Sequence, residues 1–283
     1  MPVDGERFRH QQRSFFENAD VEHFHWQTAN PLIAATEREL LADFPFPLRG
    51  TVLEVGCGEG GNLANLVAVV RGDARLVVGM DLFERKVAFG QRQVATARFV
   101  CGDALALPFK DGSFDAVLCQ FGLMFLPDPD RGLREMLRVL KPGAWTSLVI
   151  FAAGGTPESV LAASIVRSRL GEETPTPERL SSASLGAPGV LKRRLEAAGF
   201  QAVESHELTV PLRLPSAADA GRYLREIHPT LEEMMAPLSA DQREAVWQQV
   251  DEALAAFEGP NGFESPNRVV VVAGMRAITP TVA

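Results

Sequence analysis

Val52-Leu-Glu-Val-Gly-Cys-Gly-Glu-Gly-Gly61 decides how the chain is read. A short β-type run, Thr51–Val55, ends in glycines, and a helical pattern over Asn62–Val70 follows. Glycine lets the backbone turn sharply and lets a ligand approach where a Cβ would collide. The spacing satisfies G-x-G-x-x-G. Alone it fits several nucleoside-binding loops, and equally a tight βα turn that holds nothing.

The rhythm continues outward from this loop. Residues 75–80, 97–100 and 114–120 read as further strands, with a helix over Glu84–Val94 between the first two. Asp128-Pro129 suits a helix start, with Asp as N-cap and Pro at the first helical position. That helix stops at Lys141-Pro142-Gly143, and Ala144–Phe151 is a fifth strand. Strands alternating with helices predict βαβ units and a mostly parallel sheet covered on both faces. Residues 171–190, rich in Pro, Ser and Gly, read as loop, and Gly189–Ala198 as a helix closed by Gly199. A strand follows around 201–212. Helices are expected over Ala217–Ile227 and Ser239–Phe257, the second with a Ser239/Gln242 capping box, before a last strand, Asn267–Gly274. The long stretch between the last two strands exceeds any hairpin loop and reads as a helical lid insertion. Upstream, the spacing of Phe8, Phe15, Phe16, Phe24, Trp26 and Leu32–Leu41 suggests two or three short helices, and Phe44–Gly50 marks a boundary.

Of the 283 residues 46% are hydrophobic and 23% charged, the balance of an ordinary globular chain. With 28 basic against 36 acidic residues, the net charge of −8 offers no global field for nucleic acid or anionic lipid. Cys57, Cys101 and Cys119 cannot all pair, which points to a reduced, cytoplasmic chain. Neither a secretory leader nor a membrane span is expected. No His/Cys/Asp cluster has metal-ligand spacing, so no metal is expected.

Four features bear on the ligand of the glycine loop. Glu54 sits in the strand two residues before Gly56, where it would repel a pyrophosphate and attract an ammonium group. Asp81 ends the second strand, where a carboxylate can accept from both ribose hydroxyls. Gly102-Asp103 ends the third strand and can accept from an exocyclic amine. Gln120-Phe121-Gly122 ends the fourth, beside the loop. All lie where open α/β sheets bind ligands. Asp81 and Asp103 equally suit caps of the turns that follow them.

VLEVGCGEGG, VVGMDL, CGDALALPF, FDAVLCQFGLMFLPD and LREMLRVLKPGA resemble the successive motifs of class I S-adenosylmethionine-dependent methyltransferases, in the type 11 group that includes quinone-biosynthesis and natural-product enzymes. The resemblance covers about residues 51–151, and NRVVVVAG resembles the family's final antiparallel strand. It implies an α/β, Rossmann-like, seven-stranded, mostly parallel sheet with an antiparallel last strand. A helical N-terminal cap (1–50) would precede a methyltransferase domain (51–283) carrying lid segments at about 155–190 and 213–266. Carried onto this chain, it implies that Glu54, Gly56, Cys57 and Gly58 hold the methionine end of S-adenosylmethionine. Asp81 would take the ribose, Leu82 or Phe83 the adenine face, Asp103 and Ala104 the adenine edge, and Gln120 and Phe121 the surroundings of the sulfonium. S-adenosylhomocysteine would be the product.

The implied activity (EC 2.1.1) is metal-independent SN2 methyl transfer to an O, N or C atom of a small, largely apolar metabolite, such as a quinone-like acceptor. Where a general base is needed His is the usual choice, and His228 and His25 are the candidates. His23, Trp26, Met124, Phe125 and Met234 are candidates for the acceptor pocket, though each equally suits the core or the surface. Amino-group methyltransferases acting on DNA or glutamine carry an Asn/Asp/Ser-Pro-Pro-aromatic motif where this chain has Gln120-Phe121-Gly122-Leu123. The expected partner is thus a small molecule and not nucleic acid, with a homodimer as a candidate assembly. A non-catalytic scaffold of the same fold and a nicotinamide-dependent oxidoreductase are the rival readings.

Overall fold

The computed structural model describes residues 50–69, 74–171 and 185–278. The expected cap therefore lies outside the described residues apart from Gly50, and with it His23, His25 and Trp26. Most of the expected loop 171–190 lies outside as well.

The described residues form one sheet of eight strands: β1 Gly50–Val55, β2 Ala74–Asp81, β3 Arg98–Cys101, β4 Phe114–Gln120, β5 Leu140–Phe151, β6 Gln201–Leu214, β7 Glu258–Gly259 and β8 Gly262–Met275. The spatial order is β3-β2-β1-β4-β5-β8-β6. The first five strands pair in parallel, and β8 enters antiparallel between β5 and β6. The seven expected strands are all present. The eighth, β7, is a two-residue partner of β8.

Burial on both faces explains the almost unbroken apolar strands. Successive side chains alternate between faces. Leu53, Val55, Val78, Met80, Val117 and Cys119 enter the large core, while Val52, Val77, Ala116 and Leu118 enter a smaller one beneath the other face. Helix α1 (Gly61–Val69) contributes Leu63 and Leu66 to the smaller core. Helix α2 (Glu84–Gln93) connects β2 to β3. Helix α3 (Pro129–Val139) buries Leu133, Met136 and Val139 in the large core. Its start matches the sequence signal, since the Asp128 carboxylate accepts from the Arg131 N–H at 2.9 Å with Pro129 in the first turn.

The second half differs from expectation in several ways, a short extra helix over Pro229–Met234 among them. Helix α4 (Pro157–Leu170) was not anticipated; it runs to a left-handed Gly171 and buries Ala162 and Val166, one turn apart. Strand β5 begins at Leu140 rather than Ala144. Strand β8 begins at Gly262 rather than Asn267, because residues 263–268 pair with β6 beyond the end of β5. The result is a long two-stranded ribbon. Helix α5 (Val190–Ala198) precedes β6 and ends at Gly199 as expected.

The ribbon carries a helical insertion of α6 (Ala217–Ile227), α7 (Pro229–Met234) and α8 (Ala240–Leu254), the last opened by the full Ser239/Gln242 capping box. Polar side chains join the insertion to α4. Ser159 Oγ lies 2.7 Å from His228 Nε2 at the α6–α7 junction. Neighbouring Glu158 is buried and accepts from the Ser265 hydroxyl and, at 3.2 Å, from the Asn267 amide, both on β8. Burial pushes the Glu158 carboxyl up from 4.5 despite these donors.

Candidate active site

The strand order reverses between β1 and β4, and the glycine loop leaves the sheet at that point, where open α/β sheets place their ligands. The loop is anchored by backbone. Gly56 and Cys57 both donate N–H to the Met80 carbonyl, at 2.8 and 3.0 Å. Gly58 N–H donates to Asp81 Oδ2 at 2.9 Å, and Phe83 N–H to Asp81 Oδ1 at 3.1 Å. Asp81 thus ties the glycine loop to the end of β2, as a turn cap would, and holds its carboxylate at the same place.

Two glycines are required here. Gly56 has φ +76°, and a Cβ on it would come within 3.3 Å of the Gly122 Cα after β4. Gly58 has φ +55°, and a Cβ there would point into open space. The first allows β1 and β4 to close together, and the second leaves bare backbone beside the strand ends. At the end of β4, Phe121 adopts a left-handed φ of 55°. That conformation costs about 1–3 kcal/mol for a non-glycine residue. It is held by the Phe121 N–H bond to Val149 O, at 2.8 Å, and by ring contact with Phe151, at 4.6 Å between centroids.

The electrostatics are acidic. Glu54 is buried, and its Oε1 accepts from the Asn62 amide at 3.3 Å. The Cys57 thiol senses the field: burial pushes it up most, and Glu54, Asp81 and Glu59 push it further. Cys119, beneath the loop, is raised to about 12 by burial and then by Glu54. Burial raises Asp81 above its usual 3.8, against the pull of Lys86 and of the two backbone donors. Glu59 forms an ion pair with Lys86 of α2 at 3.2 Å, with both side chains over 90% buried. A phosphate placed here would meet like charge, whereas a cation would be drawn in.

Other predicted site residues lie around this centre. Leu82 is exposed, at 45%, immediately after Asp81. Asp103 is exposed and its Oδ1 accepts from the Leu105 N–H at 2.8 Å, while Ala104 is buried in the core. Gln120 lies at the end of β4, and its Oε1 is buried with no hydrogen-bond partner. A buried acceptor left without a donor is costly in a finished core and ordinary in a binding site. Phe125 stays 38% exposed, while Met124 is buried and Met234 packs against the core. His228 is half-buried, and burial lowers it from 6.5 to about 4. It is neutral near pH 7, with Nε2 committed to Ser159. Among the described residues no group of His, Cys, Asp or Glu gathers as metal ligands, and no helix is long and apolar enough to cross a membrane.

Sequence reading missed the Glu59–Lys86 pair and Ser159. Lys86 carried a faint signal as one of few lysines; Ser159 carried none, because its partner is far away in sequence.

A family described as a methyltransferase domain matches residues 53–148. A demethylmenaquinone methyltransferase of Clavibacter sepedonicus is 34% identical over 172 residues, spanning 56% of this chain and 68% of that protein. The chain belongs to the class I S-adenosylmethionine-dependent methyltransferases, in the type 11 group. Another member, a 2-phytyl-1,4-naphtoquinone methyltransferase of Synechococcus elongatus, is 40% identical over 104 residues, which is 35% of this chain and 44% of that protein. The chain covers under half the length of several other curated methyltransferase relatives. Phosphoethanolamine N-methyltransferase 2 of Haemonchus contortus, solved with S-adenosyl-L-methionine, shares the fold at TM-score 0.58 and 18% identity, over 97% of this chain and 60% of that one.

The cofactor of this methyltransferase is S-adenosylmethionine, and the residues present fit it. The bare Gly58 backbone gives room, the acidic field suits a cationic sulfonium and ammonium, and Gln120 Oε1 lacks a donor.

Proposed function

We propose that this methyltransferase transfers a methyl group to a small, largely apolar, quinone-like acceptor without a metal. When bound, the cofactor supplies an electrophilic methyl on a good leaving group, so the chain's own work is to hold, orient and dry the reactants. Glu54, Gly56, Cys57 and Gly58 are assigned to the amino-acid end, Asp81 to the ribose, and Leu82, Phe83, Asp103 and Ala104 to the adenine. Gln120 and Phe121 face the reacting centre.

The apolar acceptor is supported by the aromatic end of β4. Phe121 is fixed against Phe151, and Phe125 remains partly exposed although its neighbours Leu123 and Met124 are buried. An exposed aromatic side chain in the turn that follows a strand end suits a flat apolar ligand. The names of the two quinone-methylating relatives point the same way. The insertion that includes α6–α8 is the lid in this reading, together with the segment around 155–190.

A base is needed only if the acceptor atom must lose a proton. With its pKa near 4, His228 is a weak proton acceptor. We assign it to fixing the lid through Ser159.

The test is transfer of labelled methyl to a panel of reduced naphthoquinones, phenols and small polar amines. Turnover on the naphthoquinol or phenol arms is the expected result. Turnover confined to polar amines would overturn the acceptor class, and cofactor binding without transfer to any arm or to a metabolite extract would favour a scaffold.

A further inference from the structure

The segment after β3 leaves the sheet edge without a strand partner, and side chains of α3 take the place of one. Arg131, Glu135 and Arg138 stand at i, i+4 and i+7, on one helix face. Arg131 Nε donates to Leu105 O at 2.7 Å. Leu107 N–H donates to Glu135 Oε2 at 2.7 Å, and Arg138 Nη2 returns a bond to Leu107 O at 3.0 Å. Arg138 Nη1 donates to Phe109 O at 2.8 Å. Three alternate carbonyls are therefore gripped from one side, as a neighbouring strand would grip them.

Arg131 reaches the candidate adenosyl site through a short path, and Arg138 holds the carbonyls that follow on the same segment. Arg131 holds the carbonyl of Leu105, and the N–H of Leu105 holds Asp103 Oδ1. Asp103 itself is exposed and touches none of the three clamp residues in these bonds. Charge-assisted bonds are the stronger kind. Glu135 is held below its usual carboxylate range mainly by its hydrogen bond with Arg138.

We propose that Arg131 and Arg138 are positioning residues for the cofactor: they set loop 103–109, and through it the aim of Asp103 at the adenine. The inference rests on the reading of Asp103 as an adenine contact. Its consequence is that a helix face remote from the transferred methyl tunes cofactor affinity and leaves the chemical step untouched.

The test is a double-mutant cycle on binding of S-adenosylhomocysteine by calorimetry, with the full chain and the variants Arg131→Met/Arg138→Met, Asp103→Ala, and all three together. The clamp variant should bind about tenfold more weakly, a change of ~1.4 kcal/mol. In the Asp103→Ala background the same pair of substitutions should cost less than about twofold, because the group they aim is gone. The KM for S-adenosylmethionine should rise while kcat at saturation holds, and hydrogen exchange at the Leu107 amide should quicken. Should Arg138→Met impair folding, Arg131→Met alone, on an exposed side chain, carries the cycle. Unchanged affinity despite a loosened loop overturns the proposal, and so does an equal loss with and without Asp103. Failure of the cofactor-site reading looks different: Asp103→Ala itself binds as tightly as the parent.

Discussion

Replacing Lys86 with Met isolates one buried charge beside the glycine loop. In the parent, Lys86 Nζ lies 3.2 Å from Glu59 Oε1, with side-chain exposures of 7% and 9%. Removing one partner of so buried a pair costs about 3–5 kcal/mol, because the surviving carboxylate stays desolvated. Taking ~3 kcal/mol, and ~2–4 °C per kcal/mol for a domain of this size, the melting point should fall by about 6–12 °C. The double variant Glu59→Gln/Lys86→Met removes both charges at similar volume and should recover most of the loss. Lys86 also draws the raised Asp81 carboxyl downward, so the single variant should weaken S-adenosylhomocysteine binding as well. Thermal melts near neutral pH, with calorimetry on the same samples, measure both effects. A single variant melting within about 2 °C of the parent would refute the claim that the pair is a desolvated ion pair. A double variant as unstable as the single would show that packing rather than charge carried the effect.

Four further outcomes follow from the structure. Asp81→Asn keeps acceptor capacity for the Gly58 or Phe83 N–H but loses the charge. It should fold and bind S-adenosylhomocysteine at least ~tenfold more weakly, and parent-like binding by calorimetry would remove Asp81 from the ribose site. Because burial raises Asp81 above 3.8, its proton-linked contribution to fold stability is complete below that value and is lost as pH rises through the raised one; with the carboxylate as the proposed ribose contact, affinity should fall on acidification through the same window. His228, lowered from 6.5 to about 4, leaves the folded state with fewer bound protons than the unfolded chain between those values, so stability should decline as pH falls across them. The ceiling is ~3 kcal/mol, and partial exposure reduces it to ~1–2; denaturant melts of Ser159→Ala/His228→Phe should show a flatter slope, and an unchanged slope would count against burial as the cause. With a thiol-reactive dye the native protein should show one fast cysteine, Cys101, because Cys57 and Cys119 are buried with raised thiols, whereas two fast thiols would mean that the glycine loop opens.

The sheet's first half was legible because its signals are local. Buried parallel strands read as apolar runs, the glycine loop announces the first crossover, and Asp128-Pro129 and the Ser239/Gln242 box mark helix starts within four residues. The ribbon half of β8 hid for a specific reason. It alternates strictly, with Phe263, Ser265 and Asn267 inside and Glu264, Pro266 and Arg268 outside. Two of the three inward residues are polar, however, because they face Glu158. A period-2 reading that seeks apolar residues passes over them. Helix α4 hid because its apolar residues do not form a stripe and its first turn buries Glu158 and Ser159. At the site, the strand-end acids were visible in the sequence. What they also bond was not: the hold of Asp81 on Gly58 and the pairing of Glu59 with Lys86 exist only after the strands are adjacent.

The division between a legible and an illegible half has a physical basis. Around the cofactor loop the decisive bonds involve backbone. Gly56 and Cys57 donate to Met80 O, Gly102 to Asp81 O, and Gly58 and Phe83 to the Asp81 carboxylate, so the end of β2 gathers five N–H groups. Many sequences can supply such bonds once the glycines and one Asp are present, and the family match ends at residue 148, close to where this region ends. Beyond β5 the joints are side chain to side chain: Ser159 to His228, Glu158 to Ser265 and Asn267, and Arg225 to Asp251 beside the Trp247 ring. Each requires two particular residues far apart in sequence, so a single substitution there changes how the insertion sits. In the proposed reading, α4 and the insertion set acceptor choice, apart from the residues assigned to the cofactor. Exchanging residues 215–261 between this chain and a relative should therefore move acceptor preference and leave S-adenosylhomocysteine affinity in place.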